Sequence, residues 1–359
     1  MPAVRPTLLP AAVLAALVTF SLPAPAQQAP DVVVSVAPLH GITAAVMEGV
    51  GAPALLIDGA QSPHTFTMRP SQAAMLQSAD LVVWGGRLLE SALEQPLASL
   101  VPVEARFSVL DTPGLVLLEA REGGAWAEHD HDHDDHAGED AHGEEHGHDD
   151  DHGGDRDDDH GGDQGGDHAH DDDHGETDDH ADHAHDHGTT DTHLWLDPDN
   201  AAAIARAVAE RLAGIDTANA ETYRSNAARF AAETAALAAE LEARLSAVAD
   251  RPFIVFHDAY QYLEVRFGLA AAGSITVSPD SQPSAARIAE IQDAIAERGA
   301  LCLFAEPQFE PTIVEAIAGD TGVSTGVLDP VGGDLPLGPG HYEHLMRDLA
   351  DDLVACLGD

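Results

Sequence analysis

The sequence predicts an α/β protein in which parallel strands are covered on both faces by helices and one long helix links two sheet-containing units. Three observations carry this. Short, fully apolar runs such as Val32-Val33-Val34-Ser35-Val36 and Leu81-Val82-Val83-Trp84 lack polar–apolar alternation, and each is followed by a helical stretch. The same rhythm returns after residue 250, with Phe253-Ile254-Val255-Phe256 as its first strand. Between the two halves, Ile215 to Arg251 holds neither Gly nor Pro and carries an apolar stripe of Tyr223, Phe230, Leu237, Leu241, Leu245 and Val248. A helix of about 30 residues there would be roughly 45 Å long, more than a strand crossover needs. A short coiled-coil surface is the other reading of the stripe, but the stripe drifts off a strict heptad. At 359 residues and 44% hydrophobic, the chain has material for two cores.

Taken in order, the first residues stand apart from the fold. Arg5, the apolar stretch Leu8 to Leu22 and the small residues Ala24-Pro25-Ala26 read as a secretory signal peptide cut near Ala26–Gln27. No cysteine lies near the cut, so a lipid anchor is not expected, and no second apolar stretch is long enough to span a membrane. The strand at Val32 is halted by Pro38, and Leu39 to Gly49 suits a short helix. Ala54 to Ile57 is a second strand, ending in the polar segment Asp58 to His64. Ser71 is placed to cap a helix through Ser78. Further on, Asp197 followed by Pro198 reads as an N-cap and first helical residue, for a helix to about Leu212.

In the second half, Ala259 to Phe267 is helical, Ser274 to Val277 a strand, and Ser284 to Arg298 a helix. Leu301 to Phe304 is a strand, Thr312 to Ala318 a helix, and Val323 to Leu328 a strand ending at Asp329. Tyr342 to Leu357 closes the chain as a helix. The chain thus divides into a leader (1–26), an N-terminal α/β lobe (27–214), a long linking helix (215–250) and a C-terminal α/β lobe (251–359). Cys302 and Cys356 are the only cysteines; export to an oxidising compartment makes a disulfide the expectation, two buried free thiols being the other.

The N-terminal lobe is interrupted by a run, 127–188, of a different kind. It holds His129, His131, His133, His136, His142, His146, His148, His152, His160, His168, His170, His174, His180, His183, His185 and His187. These alternate with 26 acidic residues against the single base Arg156, and no apolar side chain exceeds alanine. Such a segment has nothing to bury, so it is expected to be a disordered, solvated loop. Imidazoles among carboxylates are ligands for borderline divalent metals, so weak auxiliary metal sites are expected here. A plain acidic spacer would serve solubility without histidines. The run carries more than half of the formal charge of −47, which argues against a nucleic-acid partner and suits cations.

Six histidines lie outside it: His40, His64, His193, His257, His341 and His344. His64 follows the second strand, His193 precedes a helix and His257 ends a strand, as does Asp329. Ligands of open parallel sheets bind beyond the carboxyl ends of the strands. These four are therefore candidates to converge, isolated loop histidines being the alternative.

The segments Ser62-Pro63-His64-Thr65-Phe66 and Asp191-Thr192-His193-Leu194-Trp195-Leu196-Asp197-Pro198 resemble those of the periplasmic zinc-binding proteins of bacterial ABC uptake systems. So do Val255-Phe256-His257-Asp258-Ala259-Tyr260 and Leu303-Phe304-Ala305-Glu306-Pro307-Gln308-Phe309, in the same order from about Val32 to Leu357. A His-rich acidic loop between the first two ligand motifs is itself typical of the zinc-specific members. The resemblance implies two similar lobes, each a parallel-sheet α/β sandwich, joined by one long rigid helix. It also implies one Zn2+ held between the lobes and passed to an inner-membrane ABC permease, by a periplasmic and monomeric protein. Matched motif by motif, His64, His193 and His257 look like the metal ligands and Cys302 with Cys356 like the family's disulfide. Some zinc-specific relatives have a glutamate immediately before the first histidine; here that place is Pro63, which leaves the fourth ligand open between Asp329 and water.

Three neutral imidazoles and at most one carboxylate suit tetrahedral Zn2+, whereas Mn2+ favours more oxygen ligands. Glu119, Glu122, Glu306 and Glu310 lie near these motifs, with nothing to select them as ligands. Three histidines and water is also a hydrolase pattern, but an enzyme needs a positioned base, and no His-Glu-x-x-His helix is present. A periplasmic metal buffer or storage protein and an adhesin of the same fold are the remaining readings, the latter disfavoured by the missing lipidation cysteine.

Overall fold

The computed structural model describes residues 29–59, 61–121, 190–276 and 282–358. The leader with its cleavage point and the auxiliary histidines of 127–188 lie outside the described residues.

In chain order the elements are β1 (Val32–Val34), α1 (Ala37–Met47), β2 (Ala54–Leu55), α2 (Pro70–Ser78), β3 (Leu81–Trp84), α3 (Glu94–Leu100) and β4 (Arg106–Ser108). The helices α4 (Pro198–Ile215) and α5 (Ala220–Leu245) follow. The second lobe is β5 (Phe253–His257), α6 (Gln261–Phe267), β6 (Ala271–Thr276), α7 (Ala285–Arg298), β7 (Cys302–Ala305), α8 (Thr312–Thr321), β8 (Ser324–Val327) and α9 (His341–Leu357). Each lobe has one four-stranded, all-parallel sheet, ordered β2-β1-β3-β4 in the first and β6-β5-β7-β8 in the second. No described helix is long and apolar enough to cross a membrane.

Burial on both sheet faces explains why the central strands β1, β3 and β5 read as continuous apolar runs. In β5, Phe253 and Val255 join the core shared with the linking helix, while Ile254 and Phe256 face the outer core under α7 and α8. Neighbouring β7 alternates in the same way, Cys302 and Phe304 inward and Leu303 outward. Cys302 is bonded to Cys356 of α9, tying a central strand to the last helix.

The long helix is α5, about 39 Å for its 26 residues. It starts later than the uninterrupted sequence suggests because Asp216 ends the preceding helix. The Asp216 carboxylate accepts from Asn219 Nδ2 and Tyr223 Oη, and the chain turns there into α5. Tyr223, Ala227, Phe230, Thr234, Leu237, Ala238, Leu241 and Leu245 form its buried stripe, at the spacing of three and four that keeps residues on one helix face. That stripe belongs to a single core running from β1 and β3 through α4, α5 and α9 to β5 and β7.

Sequence signals locate the helix starts unevenly. Asp197 caps α4 as expected, its side chain accepting from Asp199 N at 2.7 Å. At α2 the cap is Arg69 and not Ser71: Pro70 is the first helical residue, and Gln72 Oε1 accepts from the Arg69 N–H at 2.7 Å. The short β4 and α3 have no sequence counterpart, since Arg106-Phe107-Ser108 buries one side chain fully and shows no apolar run.

The lobes meet through polar side chains on backbone. Trp195 Nε1 donates to Pro330 O at 2.8 Å, and Tyr342 Oη donates to Trp195 O at 3.0 Å. Gly59 and Gly333, one from each lobe, touch backbone to backbone: a Cβ on either would sit 2.3 Å from the other segment. Gly41 has the same purpose under α9, where a Cβ would meet His341 Cβ at 3.0 Å.

Candidate metal centre

His64, His193 and His257 arrive in one place from three different chain segments. His64 sits in the loop between β2 and α2, held by the buried Ser62-Pro63 pair before it. His193 stands between the Thr190 bridge to Glu119 and a 3-10 turn, Leu194–Leu196. His257 is the last residue of β5, at the carboxyl edge of the second sheet. One ring nitrogen from each lies within 4.8 Å of the other two. The ring centroids are 5.3 to 5.7 Å apart, and His193 and His257 are buried while His64 is half-buried.

Two carboxylates decide which nitrogens face inward. Asp191 Oδ1 accepts from His193 N at 3.0 Å and from its Nδ1 at 2.8 Å. Glu306 accepts from His257 Nδ1 at 2.6 to 2.7 Å, and from the His257 N–H at 3.2 Å. With Nδ1 carrying the proton in both rings, each Nε2 keeps its lone pair, and the two Nε2 atoms are 3.4 Å apart. His64 Nε2 is buried with no protein partner. The three ring nitrogens together make a candidate cation site.

The electrostatics agree. Burial first, then the neighbouring His193 and His257, hold His64 well below the ordinary 6.5, so it stays neutral near neutral pH. Burial also acts to lower His257, but Glu306, with Asp258 and Asp191 further off, outweighs it and the net direction is upward. Trp195 stands edge-on to His193, and Phe309 edge-on to His257, closing the sides of the site.

Asp329 is not in the group. Its Oδ1 accepts from Gln308 Nε2 at 2.9 Å and Val331 N at 3.0 Å, and its Oδ2 accepts from Gly333 N at 2.6 Å. His40 and His341 are buried between α1 and α9, bonded to backbone oxygens of Pro53 and Val331, and are also outside the group. Of the four glutamates near the motifs, Glu122 lies outside the described residues, Glu119 bridges Thr190, and Glu306 reaches a ring.

Sequence reading gives Asp191 and Glu306 no role. Asp191 lies two residues before a candidate ligand, a spacing that allows one carboxylate to reach both the backbone and the ring. The signal for Glu306 is strand register: Phe253 pairs with Cys302 and Ile254 with Leu303, so the same offset sets His257 opposite Glu306.

The described segments on either side of residues 122–189 pair with each other next to His193. Glu119 bridges Thr190 antiparallel, and Asp191 N donates to Leu118 O at 2.9 Å. Arg121 pairs with Glu264 of α6 at 2.7 Å and approaches Asp258 at 3.6 Å. Burial pushes Glu264 up to about 7 and Asp258 up to about 6, despite Arg121.

The family model described as "Zinc-uptake complex component A periplasmic", ZnuA, matches residues 32–356. A high-affinity zinc uptake system protein ZnuA of Brucella abortus (strain 2308) is 42% identical over 326 residues, covering 91% of each chain. The protein of the same description from Paracoccus denitrificans (strain Pd 1222) is 37% identical over 345 residues, 96% of each. Among solved structures, the periplasmic zinc binding protein TroA from Treponema pallidum superposes with a TM-score of 0.66 over 92% of this chain and 99% of that one. Its sequence is 18% identical, and the likeness is one of fold.

Proposed function

Because the chain belongs to the ZnuA family of periplasmic zinc-uptake components, we propose that His64, His193 and His257 are the ligands of its cargo ion. The protein is the high-affinity periplasmic Zn2+-binding component of an ABC-type zinc importer, a solute-binding protein and not an enzyme. The observation that supports the ligand assignment is the convergence of three imidazole nitrogens within 4.8 Å, two of them oriented by buried carboxylates. Neutral nitrogen donors that converge from three chain segments suit Zn2+.

Family membership implies an ABC transport system with a membrane permease. The reading extends to release of the ion, by a monomer, to a permease in the inner membrane. Once the leader 1–26 is cut off, the N-terminal lobe 27–214, the linking segment 215–250 and the C-terminal lobe 251–359 are the parts through which it acts. The insert supplies further, weaker sites from its 16 histidines. The flanking residues Leu118 and Asp191 are hydrogen-bonded, and Asp191 is two residues from His193, so an ion held by the tethered insert is at high effective concentration near the cleft. Weak sites suit capture, since an ion held as tightly as in the cleft would not move on.

Zinc titration of the protein lacking 127–188 tests both parts. One tight site should remain and the weaker ones should vanish. Retention of the tight site in His257→Ala would refute the ligand assignment; loss of all binding on deleting the insert would make the protein a buffer.

A further inference from the structure

We propose that Gln308 decides the fourth position of the cargo site, keeping Asp329 out of the ion's coordination shell and serving a bound water in its place. The proposal rests on the three-histidine reading above and adds to it a positioning residue and the identity of the fourth donor.

The orientation of the Gln308 amide is set by its neighbours. Its Nε2 lies 2.9 Å from Asp329 Oδ1 and 3.2 Å from Gly59 O, and both of these only accept. The opposite orientation would turn an oxygen toward two oxygens. With both N–H donors used, Oε1 is the atom left over, and it is buried with no protein donor. Gln308 lines the same small cavity as His64, His193 and His257, a space of about 10 Å3 whose other walls include Phe309 and Val331. That is about the volume of one water-sized sphere, the place of the ion itself, so the fourth donor sits against the wall that Gln308 forms.

Asp329 is meanwhile committed elsewhere. Both carboxylate oxygens accept hydrogen bonds, from Gln308, Val331 N and Gly333 N. Entering the coordination shell would mean breaking the Gln308 bond and leaving the part-buried Val331 and Gly333 N–H groups without their acceptor, a cost the carboxylate avoids where it is. A water on the fourth position is polarised by the ion and becomes a strong donor. It satisfies Gln308 Oε1, an acceptor that otherwise has no donor.

Gln308 also spans the lobes, since it follows β7 and bonds Gly59 of the other lobe, which itself touches Gly333. The arrangement that excludes Asp329 thus depends on the lobes being apposed. Separating them removes the Gly59 contact and frees the amide.

The test uses the full chain loaded with less than one equivalent of Co2+, whose visible bands report the donor set, together with zinc affinity by chelator competition. Asp329→Asn should keep the wild-type bands and a zinc affinity within about threefold, as a residue outside the coordination shell would. Gln308→Ala should change the bands, because it removes the acceptor for the bound water and one of the three bonds that hold Asp329 back, and the part of the change that comes from Asp329 should vanish in Gln308→Ala/Asp329→Asn. Should Asp329→Asn fold poorly, the single Gln308→Ala and Gln308→Met variants carry the test alone. Altered bands and a loss comparable to a ligand histidine in Asp329→Asn, or wild-type bands in both Gln308 variants, would overturn the proposal. Failure of the underlying reading is recognised separately: His257→Ala would then leave the Co2+ bands as they are.

Discussion

His193 Nε2 and His257 Nε2 lie 3.4 Å apart, although 64 positions separate the residues and each comes from a different part of the fold. The contact exists because Asp191 and Glu306 each tie down the opposite nitrogen of one ring. Two lone pairs at this distance repel, and a cation between them is the natural resolution. Replacing either histidine by alanine should reduce zinc affinity on the order of 100-fold or more, since each ligand carries a share of a large binding energy. Competition with a chromophoric chelator checks this; an unchanged affinity in His193→Ala would remove that residue from the ligand set.

The carboxylates behind the rings should matter almost as much. Asp191→Asn and Glu306→Gln keep the shape but weaken the hold on Nδ1 and the basicity of Nε2. Zinc affinity is expected to fall about 10- to 100-fold in each, with the fold retained. The same titration decides it, and a change below about twofold in both would show that orientation by these groups is unimportant.

Acid should oppose both folding and binding through His64. Its folded value lies well below 6.5, so the stability it contributes is present above 6.5 and is lost as pH falls through the depressed value. His40 and His341, lowered mainly by burial, act in the same direction. His257 acts oppositely: its value is raised, so its contribution is present below 6.5 and lost as pH rises through the raised value. Thermal midpoints measured from about pH 8 to about pH 5 without zinc should therefore decline less steeply for His64→Asn than for the wild type. With zinc bound the wild-type decline should steepen, because protons then also displace the ion. Parallel curves for the two proteins would contradict the depressed value.

Glu90, which is not one of the candidate metal-site residues, offers a separate stability test. It is fully buried, accepts from Gly86 N at 3.1 Å, and burial pushes it up to about 8 against the opposing effect of Ser35 and the backbone. Its favourable contribution is complete below the ordinary 4.5 and is lost as pH rises through about 8. Glu90→Gln removes the ionisation and keeps an acceptor for Gly86. The variant should match the wild type near about pH 5 and exceed it near about pH 8.5, by on the order of a few kcal/mol. Urea unfolding at the two pH values measures the difference; a constant offset would show that Glu90 does not titrate in this range.

The disulfide joins β7 to α9 across a sequence separation of 54 residues. Chain-entropy reasoning gives it about 4 kcal/mol. The Cys302→Ser/Cys356→Ser pair should lower the urea midpoint accordingly, and a midpoint unchanged within error would place the stability of the second lobe in its apolar core alone.

Much of the fold is legible in the residues themselves. The central strands β1, β3 and β5 stand out because both of their faces are buried, which forces unbroken apolar runs. The α5 stripe from Tyr223 to Leu245 is visible as a helical period. Asp197-Pro198 marks a helix start through capping chemistry, which is local and so is written in adjacent residues. The three histidines are conspicuous because they lie at element ends, and the surrounding motifs tie them to a family.

What adjacent residues cannot express is left to tertiary structure. The start of α5 depends on Asp216 reaching Asn219 and Tyr223 rather than on any helix breaker. β6 begins at Ala271, in a run of alanines with little strand propensity, because pairing with β5 imposes it. Glu306 becomes a partner of His257 only through the register of two parallel strands. The place of Asp329 is decided by Gln308, Val331 and Gly333, whose hydrogen bonds claim both of its oxygens. A sequence names donors and acceptors, and packing fixes which of them meet. A hydrogen bond is made over about 3 Å, yet Gln308 and Gly59, which share one, lie 249 residues apart along the chain.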